Sequence, residues 1–156
     1  EIDAVIVATP DHTHAVVSMA AIKRGKHVYT QKPLTHTGQE ARALTLAVRQ
    51  YKGATQMGNQ GQAGEEPRRL RERMWDGAIG PVREVHVWLG ANFSGPPEPA
   101  GASQPDAPTD TPPIPPTLDW DLWLGLAPHR PYHLAYAPFA WRYWWAFANG
   151  QLGDLR

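Results

Sequence analysis

The 156-residue sequence contains no cysteine, which excludes disulfides, thiolate nucleophiles and Cys-ligated zinc and leaves the redox compartment open. A surplus of either charge is also missing: 15 Lys and Arg balance 15 Asp and Glu. A protein that tracks nucleic-acid phosphates needs a basic surplus on some face, so no nucleic-acid partner is expected. No apolar run approaches the length needed to cross a bilayer and no charged-then-apolar leader opens the chain, so no membrane partner is expected either. Proline and tryptophan, by contrast, are plentiful at 16 and 7, and both are clustered.

The first third alternates short β-branched runs with helical patterns. Asp3–Pro10 reads as a strand buried on both faces, stopped by proline. Almost nothing precedes it, so a fragment of a longer chain is expected. From Thr13 to Arg24, Val16, Val17, Ala20 and Ala21 recur at helical spacing, with Asp11 or Thr13 as the expected cap and Gly25 as the stop. His27–Gln31 is a second strand ended by Pro33. Thr37-Gly-Gln-Glu40 is a capping box, followed by an apolar stripe at Ala41, Leu44, Val48 and Tyr51. Ala54–Gly58 is a third strand. The order β-α-β-α-β with short connections implies a parallel sheet with right-handed crossovers.

The style then changes. Pro67 sits in the first turn of a helix with Glu65 and Glu66, Leu70 and Met74 lie beneath it, and Gly77 and Gly80-Pro81 close it. Val85, Val87 and Leu89 alternate with polar or amphipathic residues, as in a strand with one covered face. A boundary is therefore expected near Gly61, separating domain 1–61 from domain 62–156. Residues 96–117 hold nine prolines and form an irregular loop. Pro112–Pro115 fits a PxxP ligand pattern, but such short matches are common and a rigid connector is the expected role. Ten of the 15 aromatics fall between Trp120 and Phe147. The expected class is α/β: the second half of a Rossmann-type parallel sheet, then the start of an α+β domain with an open, mainly antiparallel sheet.

Open parallel sheets bind ligands beyond the carboxyl ends of their strands. Three such ends carry polar residues: Thr9-Pro-Asp-His-Thr-His14, Gln31-Lys-Pro33 and Gly58-Asn-Gln60. His12 and His14 beside Asp11 lack a third ligand at recognisable spacing, so no metal site is expected. A helix-start histidine contacting cofactor or backbone is expected instead.

Ala8–His14 (ATPDHTH) followed by Gly25–Leu34 (GKHVYTQKPL) resembles the Gfo/Idh/MocA oxidoreductase family, which includes glucose–fructose oxidoreductase and inositol dehydrogenase. The resemblance continues through Gly58-Asn59, Gly77–Gly80, Trp141-Arg142 and Gly150–Asp154. It implies an NAD(P)-binding Rossmann domain followed by a substrate domain, with NAD or NADP as cofactor and a sugar, inositol or polyol as substrate. Carried over by position, Thr9, Pro10 and His14 line the nicotinamide side of the cofactor. Lys32 reaches the reacting hydroxyl and the nicotinamide ribose, as the catalytic residue. Gln31 and Asn59 complete the cofactor contacts, and Trp141, Arg142 and Asp154 approach the substrate.

Gln31 stands where the family usually has Glu, so it hydrogen-bonds a ribose without carrying charge. The family's histidine, the main candidate for general base, falls beyond Arg156, and its glycine-rich phosphate loop falls before Glu1. Residues 1–156 alone are therefore expected to be inactive and not to bind NAD. Alcohol oxidation needs the proton to leave as hydride departs, and an ammonium beside the oxygen stabilises the developing alkoxide. The expected function is hydride transfer between nicotinamide and a hydroxyl-bearing carbon. The alternatives are an NAD-dependent glycoside hydrolase working by transient oxidation and elimination, and a non-catalytic binding module. The family implies a homo-oligomer. The expected location is the cytoplasm, or outside it if a twin-arginine leader lies upstream.

Overall fold

The computed structural model describes residues 2–86, 108–150 and 153. The chain forms two compact units, one made of Glu1–Gly58 with Pro97–Arg156 and the other of Asn59–Pro96.

In the first unit, strand β1 (Ala4–Val7), helix α1 (Asp11–Lys23), strand β2 (His27–Gln31), helix α2 (Gly38–Tyr51) and strand β3 (Thr55–Gly58) follow one another as expected. The sheet is parallel in the order β1-β2-β3, with Val5, Val28 and Thr55 in one row and Val7, Thr30 and Met57 in the next. Side chains alternate across a strand, so these two rows share a face. Val7, Val28, Ala15, Ala21, Ile22, Leu44 and Ala47 form one core, which places α1 and α2 on that face. Each large aliphatic side chain fully buried here contributes about 1.5–3 kcal/mol.

The opposite face departs from expectation. Ile6 is 77% exposed, so β1 is covered on one face only among the described residues, not on both. The continuous apolar run could not distinguish one covered face from two.

α1 also buries a different face from the one its valines suggested. Val16 and Val17 are exposed, while His12, Thr13, His14, Ala15, Ser18, Ala21 and Ile22 are buried. Ser18 on this face has a partner: the Ser18 and Thr30 hydroxyls lie 2.7 Å apart, linking α1 to β2. Pro10 occupies the N-cap without a side-chain cap bond, so neither Asp11 nor Thr13 caps the helix. α2 begins at the expected capping box. The Glu40 amide donates to Thr37 Oγ1 and the Thr37 amide donates to the Glu40 carboxylate at 2.7 Å, an arrangement that contributes about 1 kcal/mol. At the other end Lys52 takes the left-handed conformation (φ 56°).

Residues 108–115 form no regular structure. Helix α5 (Trp120–Leu124), capped by the Asp119 side chain, and a 3-10 turn (Ala140–Tyr143) follow them. They frame a second core of Trp120, Leu124, Tyr132, Tyr136, Trp141, Trp144 and Phe147. Trp120 stacks on Trp123 at 4.9 Å, and the indole N–H groups of Trp120 and Trp144 donate to the carbonyls of Arg130 and Ala135. The tryptophan cluster is thus a packed core in which two indole N–H groups find carbonyl partners.

The second unit contains α3 (Gln60–Ala63) and α4 (Glu65–Trp75), with Pro67 in the first turn of α4 as expected. Leu70 is 60% exposed and Met74 is also exposed, so the expected burial beneath this helix is not found among the described residues. Val85 and His86 carry no strand pairing, and positions 87 and 89 of the expected strand lie outside the described residues, as does Pro-rich 96–107.

Candidate active site at the carboxyl edge of the sheet

β1 and β2 run parallel and in register, so both chains leave the sheet at the same edge, through Thr9-Pro10 and Lys32-Pro33. His14 fastens them together. Its Nε2 lies 2.7 Å from the Thr9 carbonyl oxygen and its Nδ1 lies 2.7 Å from the Pro33 carbonyl oxygen. Carbonyl oxygens only accept, so whichever ring nitrogen carries the proton donates to its loop, and the ring spans the two. The residue is 1% exposed. Of the two contacts expected for a helix-start histidine, the structure shows the backbone one. Thr13 Oγ1 adds a third tie, within hydrogen-bond distance of Thr9 Oγ1 (2.7 Å) and of the Pro10 carbonyl (2.9 Å).

Lys32 sits one residue past β2, directly before Pro33, across a cis peptide bond. Its side chain is partly exposed, like that of Gln31, the last residue of β2. In parallel register Gln31 faces Gly58 of β3. The edge therefore carries a carboxamide and an ammonium on consecutive residues, next to the Pro33 carbonyl that His14 holds.

The remaining predicted residues are distributed differently. Asn59 follows β3 as the N-cap of α3, without a side-chain cap bond, and belongs to the second unit. Trp141 is buried in the aromatic core, and the Arg142 guanidinium carbon stands 4.2 Å from its ring centroid and 4.4 Å from that of Phe139. Asp154 lies outside the described residues. Among the described residues no three His, Asp or Glu side chains come together as a metal site.

His12 does work that its spacing did not announce. Its amide donates to the Phe147 carbonyl at 3.1 Å, and its Nε2 lies 3.0 Å from the Trp123 carbonyl. The ring packs against Trp123 and Phe147 at 5.3 and 5.1 Å. This histidine joins the β1–α1 loop to the aromatic core. Its Nδ1 is buried without a partner.

Burial pushes the His12 imidazole below its ordinary value of 6.5, an effect the Trp123 carbonyl only partly opposes. The unfolded chain takes up a proton here as pH falls below 6.5, and the folded protein resists until lower pH. The stability contribution at this site is therefore complete above the ordinary histidine value and is lost as pH falls beneath it. The urea-unfolding midpoint is expected to fall between about pH 7.5 and about pH 5.5, and to fall less in His12→Gln. Equal falls in the two proteins would remove this assignment.

Residues 1–59 match the oxidoreductase family's NAD-binding Rossmann fold, and residues 105–156 match the same family's C-terminal alpha/beta domain. Levoglucosan dehydrogenase of Pseudarthrobacter phenanthrenivorans is 45% identical over 49 residues, which is 31% of this chain and 13% of that protein. The dTDP-3,4-didehydro-2,6-dideoxy-alpha-D-glucose 3-reductase of Streptomyces antibioticus is 37% identical over 113 residues, covering 68% of this chain and 32% of the reductase. The chain thus spans a third or less of the length of these relatives. Among solved structures, an inositol dehydrogenase homolog from Azotobacter vinelandii, complexed with NADH and myo-inositol, aligns with a TM-score of 0.50 at 32% identity. That alignment covers 53% of this chain and 22% of the homolog. With a parallel Rossmann half-sheet, its decorated carboxyl edge and both domain signatures in the family's order, the chain belongs to the Gfo/Idh/MocA oxidoreductase family.

Proposed function

We propose that the protein carrying this chain is an NAD(P)-dependent oxidoreductase acting on a hydroxyl-bearing carbon of a sugar, inositol or related polyol. The observation that carries the reading is the His14 tie, which draws the Thr9 and Pro33 loops together at the carboxyl edge and fixes Lys32 there. The polar groups on this edge suit the ribose and nicotinamide end of a dinucleotide. The Gln31 carboxamide both donates and accepts, as paired ribose hydroxyls require, and Lys32 supplies a cation. A bound nicotinamide supplies the hydride chemistry, and the protein supplies placement and charge.

Lys32 donates hydrogen bonds to the reacting oxygen and stabilises the negative charge that develops there as the alcohol is oxidised. Gln31 orients the ribose without adding a charge beside that ammonium. His14 has both nitrogens turned to the backbone, so its role is to hold the two loops at a fixed separation. Asn59 extends the cofactor contacts, while Trp141, Arg142 and Asp154 belong to the substrate side. The domain division at 61/62, assembly into a homo-oligomer and a cytoplasmic location are parts of the same reading. They rest on the family's organisation, and no helix among the described residues is long and apolar enough to cross a membrane.

Product analysis tests the proposal. Incubated with NAD⁺ or NADP⁺ and a panel of inositols, sugars and glycosides, the intact protein is expected to accumulate reduced cofactor in step with a ketone product. Glycoside cleavage without net reduced cofactor would replace the proposal with the hydrolase reading. Failure to bind either dinucleotide would leave a non-catalytic module.

A further inference from the structure

The face of the sheet turned away from α1 and α2 carries its own arrangement at the carboxyl edge. Val28 and Thr30 point to the helix-covered face, so Tyr29 and Gln31 stand together on the other. Across the ladder from Gln31 is Gly58. A Cβ placed on Gly58 would collide with Gln31 Oε1 and stand 3.0 Å from both Cε1 and Oη of Tyr29. Gly58 is not among the glycines with positive φ, so its backbone does not call for glycine. The close approach of the two side chains does.

We propose that Gly58 is a positioning residue: its missing side chain lets the Gln31 carboxamide lie across β3, directly before Lys32, where it meets the nicotinamide ribose. The inference rests on the dehydrogenase reading for the identity of the ligand, but the seat itself does not. The atom in the way is the far end of a flexible side chain. A methyl group at position 58 therefore swings Gln31 aside and moves the tip of Tyr29 slightly, and the strand stays paired. A displacement of ~1 Å at a site of this kind costs up to about 10²-fold in function.

The test is a double-mutant cycle in the intact protein, read through NADH affinity, KM for the oxidised cofactor, kcat and the urea-unfolding midpoint. Gly58→Ala is expected to weaken NADH binding and raise the cofactor KM by about tenfold, with kcat and the unfolding midpoint close to those of the parent. In a Gln31→Ala background the same glycine substitution is expected to cost less than about twofold, because the group it displaces is gone. Equal penalties in both backgrounds, or no penalty in either, overturn the proposal. A crystal structure of Gly58→Ala without cofactor gives a separate readout. The Gln31 carboxamide is expected off β3, and finding it undisturbed refutes the seat whatever the protein binds. A parent protein that binds no NADH instead overturns the dehydrogenase reading and with it the ribose contact, while the variant structure still decides the seat.

Discussion

Replacing Lys32 by alanine is expected to lower kcat on the preferred polyol by about 10²- to 10⁴-fold, the range associated with removing a group that stabilises charge or moves a proton at the reacting oxygen. Stability should barely change. The side chain is partly exposed at a loop, where substitutions usually stay within about 0.5 kcal/mol. Lys32→Arg is the informative companion. It keeps the charge but spreads it over a planar fork on a different stem, so it should recover only part of the lost rate. Steady-state kinetics with saturating cofactor, alongside thermal unfolding, separate a chemical role from a folding one. Turnover within about twofold of the parent in Lys32→Ala would remove the lysine from the mechanism.

His14→Leu is expected to have the largest effect on stability, roughly 2–5 kcal/mol of unfolding free energy. The imidazole serves two loop carbonyls at 2.7 Å each and is almost entirely enclosed. Leucine fills most of the volume but donates nothing, so the Thr9 and Pro33 oxygens lose their partner at once. An unsatisfied buried acceptor costs about 1–3 kcal/mol. His14→Gln should be intermediate, because its amide nitrogen still donates to one carbonyl while its flexible chain does not hold the two loops at the ring's fixed span. The rate should fall along with stability, since the same bond fixes the segment that carries Lys32. Urea unfolding of the three proteins checks the order parent, Gln, Leu; a leucine variant as stable as the parent contradicts the tie.

The alternation of strand and helix, the helix stop at Gly25, the capping box at Thr37 and Glu40 and the three-strand parallel sheet were all readable from residue spacing. They were readable because each is a local rule: a periodicity, a cap, a β-branched run ended by proline. The buried face of α1 was not. That helix hides polar side chains whose partners are a β2 hydroxyl for Ser18, two loop carbonyls for His14 and the aromatic segment for His12. Hydrophobic periodicity pointed to the exposed Val16 and Val17 instead. A polar residue is buried only where folding supplies its partner, and partners such as those of Ser18 and His12, 12 and 111 residues away, leave no mark on local spacing. Gly58 illustrates the same limit. Its place at a strand end was visible, but the side chains crossing over it come from β2. The tryptophan-rich segment was legible as a cluster, and the indole bonds to the Arg130 and Ala135 carbonyls show how it packs.

The edge formed by the Thr9 and Gln31–Pro33 loops is proposed to receive the nicotinamide ribose. A crystal structure of the intact protein with NADH measures this directly. Ribose hydroxyls are expected about 3 Å from the Gln31 carboxamide or the Lys32 Nζ, with His14 still bonded to the Thr9 and Pro33 carbonyls. A bound dinucleotide whose nicotinamide end lies out of hydrogen-bond reach of both side chains would contradict it.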